Sequence, residues 1–332
     1  MAIRTKRQLS PGQVGDVISR ALGRRAVSQR EIEAGSFAAL WRARLEDGSE
    51  VVLKLGPPDD VELLSYERDI IRTEALFYEL AGATDVPLPR LLHADLEGPI
   101  TYLILTAIDG VAWSDAEGGL AEVDRKSLRF NLGRHVAALH QIKGPAYGYP
   151  QLAEMTAATW REAFLSMIDA VLADGVRYQA VLPWPVDEIA IAVRAHAHLL
   201  DDVVAPALVH FDLWPGNVLL DMDGKPPRIA ALIDHERAFW GDPVADFASF
   251  DVFGAAEQDE DLLNGYREAG GHLEFTAGVR VRLALYRAYL YLIMLVEEGP
   301  RGFHGDLVRQ QHERTTKALL EQLQTLTPAS RP

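Results

Sequence analysis

Leu208-Val209-His210-Phe211-Asp212-Leu213-Trp214-Pro215-Gly216-Asn217-Val218-Leu219-Leu220 is an apolar run, a polar loop and a second apolar run. A third run, Ile229 to Ile233, ends on Asp234. Short apolar runs bounded by turn residues read as strands. They place Asp212 and Asn217 five residues apart on one loop, with Asp234 at the end of a nearby strand. A carboxylate and a carboxamide oxygen beside a second carboxylate make an oxygen-only donor set, which suits a hard ion such as Mg²⁺. In phosphoryl transfer a protein mostly positions groups and neutralises charge, and these residues supply that set. A bland reading makes Asp212 a turn cap and Pro215-Gly216-Asn217 ordinary turn chemistry. The flanking strands and the second Asp weigh against it.

Downstream the chain reads as helical. Apolar residues recur at helical spacing over Trp160 to Leu172, Val279 to Val296 and Leu307 to Leu323, as they do upstream over Leu128 to Ile142 and Val186 to Leu200. Further upstream the character changes to short segments. Ser10-Pro11-Gly12-Gln13 starts a helix that runs to Leu22. Glu31 to Glu33, Ala38 to Leu45 and Glu50 to Leu55 read as strands, with Asp47-Gly48 turning a hairpin between the last two. A helical pattern covers Tyr66 to Leu80, Pro87-Leu88-Pro89 forces an extended stretch, and Ile100 to Leu105 reads as a strand. The architecture is α+β and bilobal: residues 1–108 form a small lobe with a sheet and one main helix, and 109–332 a large, mainly helical lobe.

At this point the sequence resembles the aminoglycoside phosphotransferase family, whose members share the protein-kinase-like fold. The resemblance rests on Leu208 to Leu220 and on Ala231-Leu232-Ile233-Asp234-His235-Glu236-Arg237-Ala238-Phe239-Trp240-Gly241-Asp242-Pro243-Val244-Ala245-Asp246-Phe247. It implies that Asp212 is the catalytic base or orients the acceptor, that His210 braces the loop, and that Asn217 and Asp234 are Mg²⁺ ligands. One position departs from the pattern: the residue between His210 and Asp212, usually Gly in that family, is Phe211. Protein kinases tolerate a large residue there.

The same resemblance organises the small lobe. Lys54 lies in Val51-Val52-Leu53-Lys54-Leu55, where strand alternation sets it on the face opposite Leu53 and Leu55. It resembles the third-strand lysine that pairs the α- and β-phosphates of ATP. Glu74 stands where the family places its partner, with Glu67 and Glu79 as competitors. Gly35 and Ser36 fall where kinases carry a phosphate-covering loop, and Thr106 to Ile108 where the interlobe hinge meets adenine. Glu236, Asp242 and Asp246 are candidates for contact with substrate or for bracing the site, although Asp242-Pro243 also reads as a helix N-cap.

Composition bounds the alternatives. The 332 residues are 48% hydrophobic and include no cysteine, which removes disulfides, thiolate metal sites and cysteine nucleophiles. A net charge of −15 argues against nucleic acid as a partner and suits a cationic small molecule. The longest apolar stretch, Tyr289 to Val296, falls well short of the roughly 20 residues of a membrane span, so a cytoplasmic protein is expected. Walker, zincin and nucleophile-elbow motifs are missing. The expected activity is therefore Mg-ATP-dependent phosphorylation of a small-molecule hydroxyl. Aminoglycoside or macrolide antibiotics, amino sugars, choline-like alcohols and ketosamines all stand as acceptors, and a nucleotide-binding pseudokinase is the rival from another class.

Overall fold

The computed structural model describes residues 5–33, 35 and 37–327. Helix α1 (Pro11–Leu22) begins at a capping box, in which Ser10 and Gln13 satisfy each other's backbone N–H groups, and stops at Gly23 with φ 65°. Strands β1 (Ala26–Ile32), β2 (Ala39–Leu45) and β3 (Glu50–Leu55) follow, then α2 (Ile70–Ala81), β4 (Leu91–Asp95) and β5 (Tyr102–Thr106). They form one antiparallel sheet in the order β1-β2-β3-β5-β4. Gly48, at φ 84°, closes the β2–β3 hairpin at the expected Asp47-Gly48 turn.

The period-two pattern of β5 divides its side chains between two cores, Tyr102 and Ile104 in one and Leu103 and Leu105 in the other. Leu53 and Leu55 pack with Val14 and Ile18 of α1 on one face of the sheet. On the other face Leu103 and Leu105 meet Ile71, Ala75 and Tyr78 of α2. Helix α2 has a second apolar side, for Ile70, Phe77 and Ala81 belong to the main core of the helical region. It is thus a wedge between sheet and helices.

The rest of the chain carries β6 (Val111–Ala112), α3 (Trp113–Ala116), α4 (Glu122–Gln141), β7 (Tyr147–Gly148), β8 (Thr156–Ala157), α5 (Trp160–Arg177) and α6 (Val186–Ala195). Next come β9 (Ala207–Val209), β10 (Val218–Asp221), β11 (Arg228–Leu232) and β12 (Phe239–Gly241). The chain finishes with α7 (Glu260–Glu268), α8 (Ala277–Val296), α9 (Glu298–Arg301) and α10 (Asp306–Thr325). Two small sheets, β11-β10-β6 and β8-β7-β12-β9, hold the loop from His210 to Asn217 and the connection that carries Asp234. No helix among the described residues is long and apolar enough to cross a membrane.

Several boundaries differ from expectation, each for a tertiary reason. The first strand is Ala26–Ile32 rather than Glu31 to Glu33; as an edge strand with charged residues on both faces it carries no period-two signal. The second helix starts at Ile70, not Tyr66, because Ser65 and Glu67 are drawn to partners in the helical region and Asp69 breaks the chain at φ 54°. The helix expected over Val186 to Leu200 stops at Ala195, and a 3₁₀ turn continues over Ala197–Asp202. Helix α7 escaped notice because its contact with α4 uses backbone. A Cβ on Gly133 would lie 2.1 Å from the Leu262 carbonyl, and one on Gly265 1.8 Å from that of Phe130. The apolar stripe that accompanies this contact, Leu262, Leu263 and Tyr266, is short, in a helix of nine residues.

Candidate active site

The loop Asp212 to Asn217 is built from its own backbone outward. Asn217 donates from Nδ2 to the Asp212 carbonyl at 2.8 Å, closing the loop, and accepts from Ile233 N–H at 3.0 Å, fastening it to the end of β11. That places Asp234 beside the loop. His210 is fully buried and its Nδ1 accepts from Asp212 N–H at 3.2 Å, which fits a bracing role. Burial pushes His210 below the usual histidine range, so it is neutral and able to accept.

Asp246 lies beneath the same loop. It accepts from Phe211 N–H at 2.6 Å and His210 N–H at 3.3 Å, and His140 Nε2 stands 2.9 Å from it. His140 in turn pairs through Nδ1 with Tyr266 at 2.9 Å. Asp242 does different work. It caps the 3₁₀ turn Pro243–Ala248 by accepting from Val244 N–H at 3.0 Å, and it holds Arg282 at 2.8 Å and Tyr286 at 2.7 Å. Asp242 is therefore engaged as the expected cap.

Phe211 has φ 61°, in the left-handed region that glycine enters freely. A non-glycine residue there costs roughly 1–2 kcal/mol. Two contacts hold it: the short bond from its N–H to Asp246, and burial of its ring against Phe239 and Tyr289 at centroid distances of 5.1 and 5.7 Å. The departure from Gly thus leaves the backbone turn in place and turns the side chain into core. Asp234 has φ 65° as well.

Above the loop, Lys54 reaches down from β3. Its Nζ lies 2.6 Å from Glu74, 2.6 Å from Asp234 and 2.8 Å from Glu236. Sheet, wedge helix and the β11–β12 connection meet at this one ammonium. Glu79 is exposed and Glu67 pairs elsewhere, so Glu74 is the helix partner. Three carboxylates whose oxygens lie within 4.8 Å of one another cannot all ionise cheaply around one cation. Burial pushes Glu236 up, to about 8, and Glu74 up as well. For Asp234 burial works in the same direction, but Lys54 outweighs it and holds the carboxyl below its ordinary value.

Asp212 faces the same cleft. Burial, aided by Asp234 and Glu297 and opposed by Arg237 and Arg301, pushes its carboxyl up to about 6. Arg237 stands 3.8 Å from Asp212 and 3.0 Å from Glu297, and Arg301 binds the same Glu297 oxygen at 3.0 Å. Glu297 thus links the two arginines. Arg237 and Arg301 escaped the sequence reading. Arg237 lies three residues beyond Asp234, a position that offered a signal; Arg301 lies in a region without motif, where none existed.

Lys54, Asp212, Asp234, Glu236, Arg237, Arg301 and Gly35 line a small cleft of about 60 Å³. Ser36 lies outside the described residues. Thr106 and Ile108 do not line this cavity; Thr106 bonds Arg90 through backbone and side chain. A larger hollow of about 590 Å³, between Asp109 to Val111 and the β10–β11 hairpin, contains none of the charged cluster. The donor chemistry fits Mg²⁺: Glu74, Asp234 and Glu236 present carboxylate oxygens within 4.8 Å of one another, hard donors with no thiol or imidazole in the set.

The sequence model of the phosphotransferase enzyme family matches residues 28–286. A probable ketoamine kinase of Lactiplantibacillus plantarum is 36% identical over 106 residues, 31% of this chain and 34% of that protein, so the match spans about a third of the relative's length. The 4-hydroxytryptamine kinase of Psilocybe cubensis is 23% identical, covering 89% of this chain and 92% of that enzyme. Among solved structures, the putative fructosamine-3-kinase from Thermobifida fusca superposes with a TM-score of 0.68 at 23% identity, over 94% of this chain and 100% of that one. The streptomycin–ATP–APH(2'')-IIa ternary complex gives 0.62 at 16% identity, over 96% and 97%. These likenesses establish the protein-kinase-like fold.

Proposed function

The chain belongs to the phosphotransferase enzyme family, and on that premise we propose that it is a small-molecule kinase in which Asp212 accepts the proton of an acceptor hydroxyl as the γ-phosphoryl group of ATP is transferred. The observation that carries the reading is the convergence of Lys54, Asp234 and Asp212 in one cleft, with Lys54 on the sheet and both carboxylates on the helical side. Lys54 would exchange part of its carboxylate shell for phosphate oxygens, keeping Glu74 as the contact that orients its stem. Asn217 and Asp234 would hold Mg²⁺, which supplies neutralisation of phosphate charge when bound. Asp212, ionised at neutral pH with a proton affinity raised by burial, is matched to a general base. Residues 1–108 would serve the nucleotide and 109–332 the acceptor.

Among acceptors, a ketoamine-type metabolite is favoured over an antibiotic. The support is the ketoamine kinase relatives, 36% and 33% identical over their matched segments, and the fructosamine-kinase-like structure. ADP release should be measured with Mg-ATP and a panel containing a fructosamine, an aminoglycoside, a macrolide and a hydroxyindole amine. Turnover fastest with the fructosamine supports the reading. Turnover with the antibiotics alone would reverse the preference, and Mg-ATP binding with no turnover on any of them would favour a pseudokinase.

A further inference from the structure

Residues 63–68, which lead into α2, are fastened to the helical region and not to the sheet. Ser65 donates to Asp174 of α5 through its N–H at 2.6 Å and its hydroxyl at 2.8 Å. Tyr178 donates to the Leu63 carbonyl at 2.8 Å, and Gln151 to that of Tyr66 at 3.1 Å. In the first turn of α2, Thr73 also bonds Gln151, at 2.5 Å.

The deepest of these ties is ionic. Glu67 and Arg301 keep only 2% and 3% of their side-chain surface exposed and meet at 2.5 Å. Burying two charges is costly unless their geometry is good and their remaining groups are bonded. Here Glu67 also accepts from Leu64 N–H at 2.9 Å, while Arg301 binds Glu297 and lies over the Phe37 ring at 5.2 Å. Each end of this pair leads into the site. From Arg301 the contacts run through Glu297 to Arg237, beside Asp212. From Glu67 the chain passes directly into α2, which carries Glu74 to Lys54.

We infer that Glu67 and Arg301 are a positioning pair for phosphoryl transfer, clasping α2 to the helical region so that Glu74 stays on Lys54 while Arg237 stays beside Asp212. In this arrangement α2 moves with the large lobe, and the sheet carries Lys54 to it. The inference rests on the proposed nucleotide role of Lys54.

The test titrates Mg²⁺ and a non-hydrolysable ATP analogue, AMP-PNP, into wild type, Glu67→Gln, Glu74→Gln and the double variant by calorimetry. Each single change should weaken binding about tenfold. The double variant should bind within about twofold of the weaker single, because both changes act through one contact. Hydrogen exchange over residues 63–81 should also quicken in Glu67→Gln, with β1 to β3 unchanged. A Glu67→Gln protein that is less heat-stable but binds like wild type, or additive losses in the double variant, would overturn the inference. Where Glu67→Gln does not fold, Ser65→Ala loosens the same segment more gently and should weaken binding in the same direction; wild-type affinity there would overturn it too. Failure of the wild type to bind Mg-AMP-PNP refutes the nucleotide reading separately. The clasp is then judged on exchange alone, and uniform quickening across both lobes would refute it.

Discussion

Asp212→Asn should abolish transfer and yet stabilise the folded chain at neutral pH. The Asp212 carboxyl is pushed from its ordinary 3.8 to about 6, chiefly by burial. A difference of that size corresponds to about 3 kcal/mol of unfavourable ionisation. Two features reduce it: 19% of the side chain stays exposed to screening water, and Arg237 at 3.8 Å loses a partner in the variant. The expected gain is therefore about 1–2 kcal/mol. Its size depends on pH. The folded state binds this proton more tightly than the unfolded chain, so ionisation costs nothing below about pH 4, costs more from pH 4 to 6, and costs its full amount above about 6. Urea unfolding of both proteins at pH 4.5 and 7.5 measures it, with the variant's advantage small at the lower pH and full at the higher. A variant less stable at pH 7.5, or an advantage equal at both pH values, would refute the reasoning.

Four further outcomes follow from the same geometry. With Asp212 as base, kcat/KM should fall about tenfold per pH unit below roughly pH 6; a flat profile down to pH 5 would exclude it. Phe211→Gly relieves about 1–2 kcal/mol of backbone strain but loses a buried ring worth about 3–5, so urea unfolding should show a net loss of about 2–3 kcal/mol. Asp246→Asn weakens bonds to two loop N–H groups and to His140, and should lower stability by about 2 kcal/mol and kcat at least tenfold. Lys54→Met leaves three carboxylates without their cation and should cost about 3–5 kcal/mol, with part of the loss recovered when Glu236→Gln is added. In each of the last two, thermal unfolding beside turnover separates misfolding from lost chemistry.

The loop from His210 to Asn217 and its companion Asp234 were legible because their spacing is local: chemistry and turn geometry sit within a few residues. Lys54 was legible for a related reason, since strand alternation sorts its side chain from Leu53 and Leu55. Glu74 required the resemblance, as Glu67 has the same charge and a comparable distance along the chain. What separated them is three-dimensional: Glu67 finds Arg301, 234 residues away in sequence. The pairing of Arg237 with Glu297 was opaque on the same principle, because it joins the end of α8 to the loop after β11. Helix α7 was hidden by its shortness, with only Leu262, Leu263 and Tyr266 as its apolar face, and β1 by its edge position, where burial imposes no period.

The role of Asp212 can be read directly from where the γ-phosphate goes. ATP labelled at the γ-phosphate with ³²P should be incubated with Mg²⁺, the acceptor panel and either wild type or Asp212→Asn, and the label followed into small-molecule products. Wild type should place label on a hydroxyl-bearing acceptor, and the variant should place none while still binding Mg-AMP-PNP. Equal labelling by the two proteins would contradict the account.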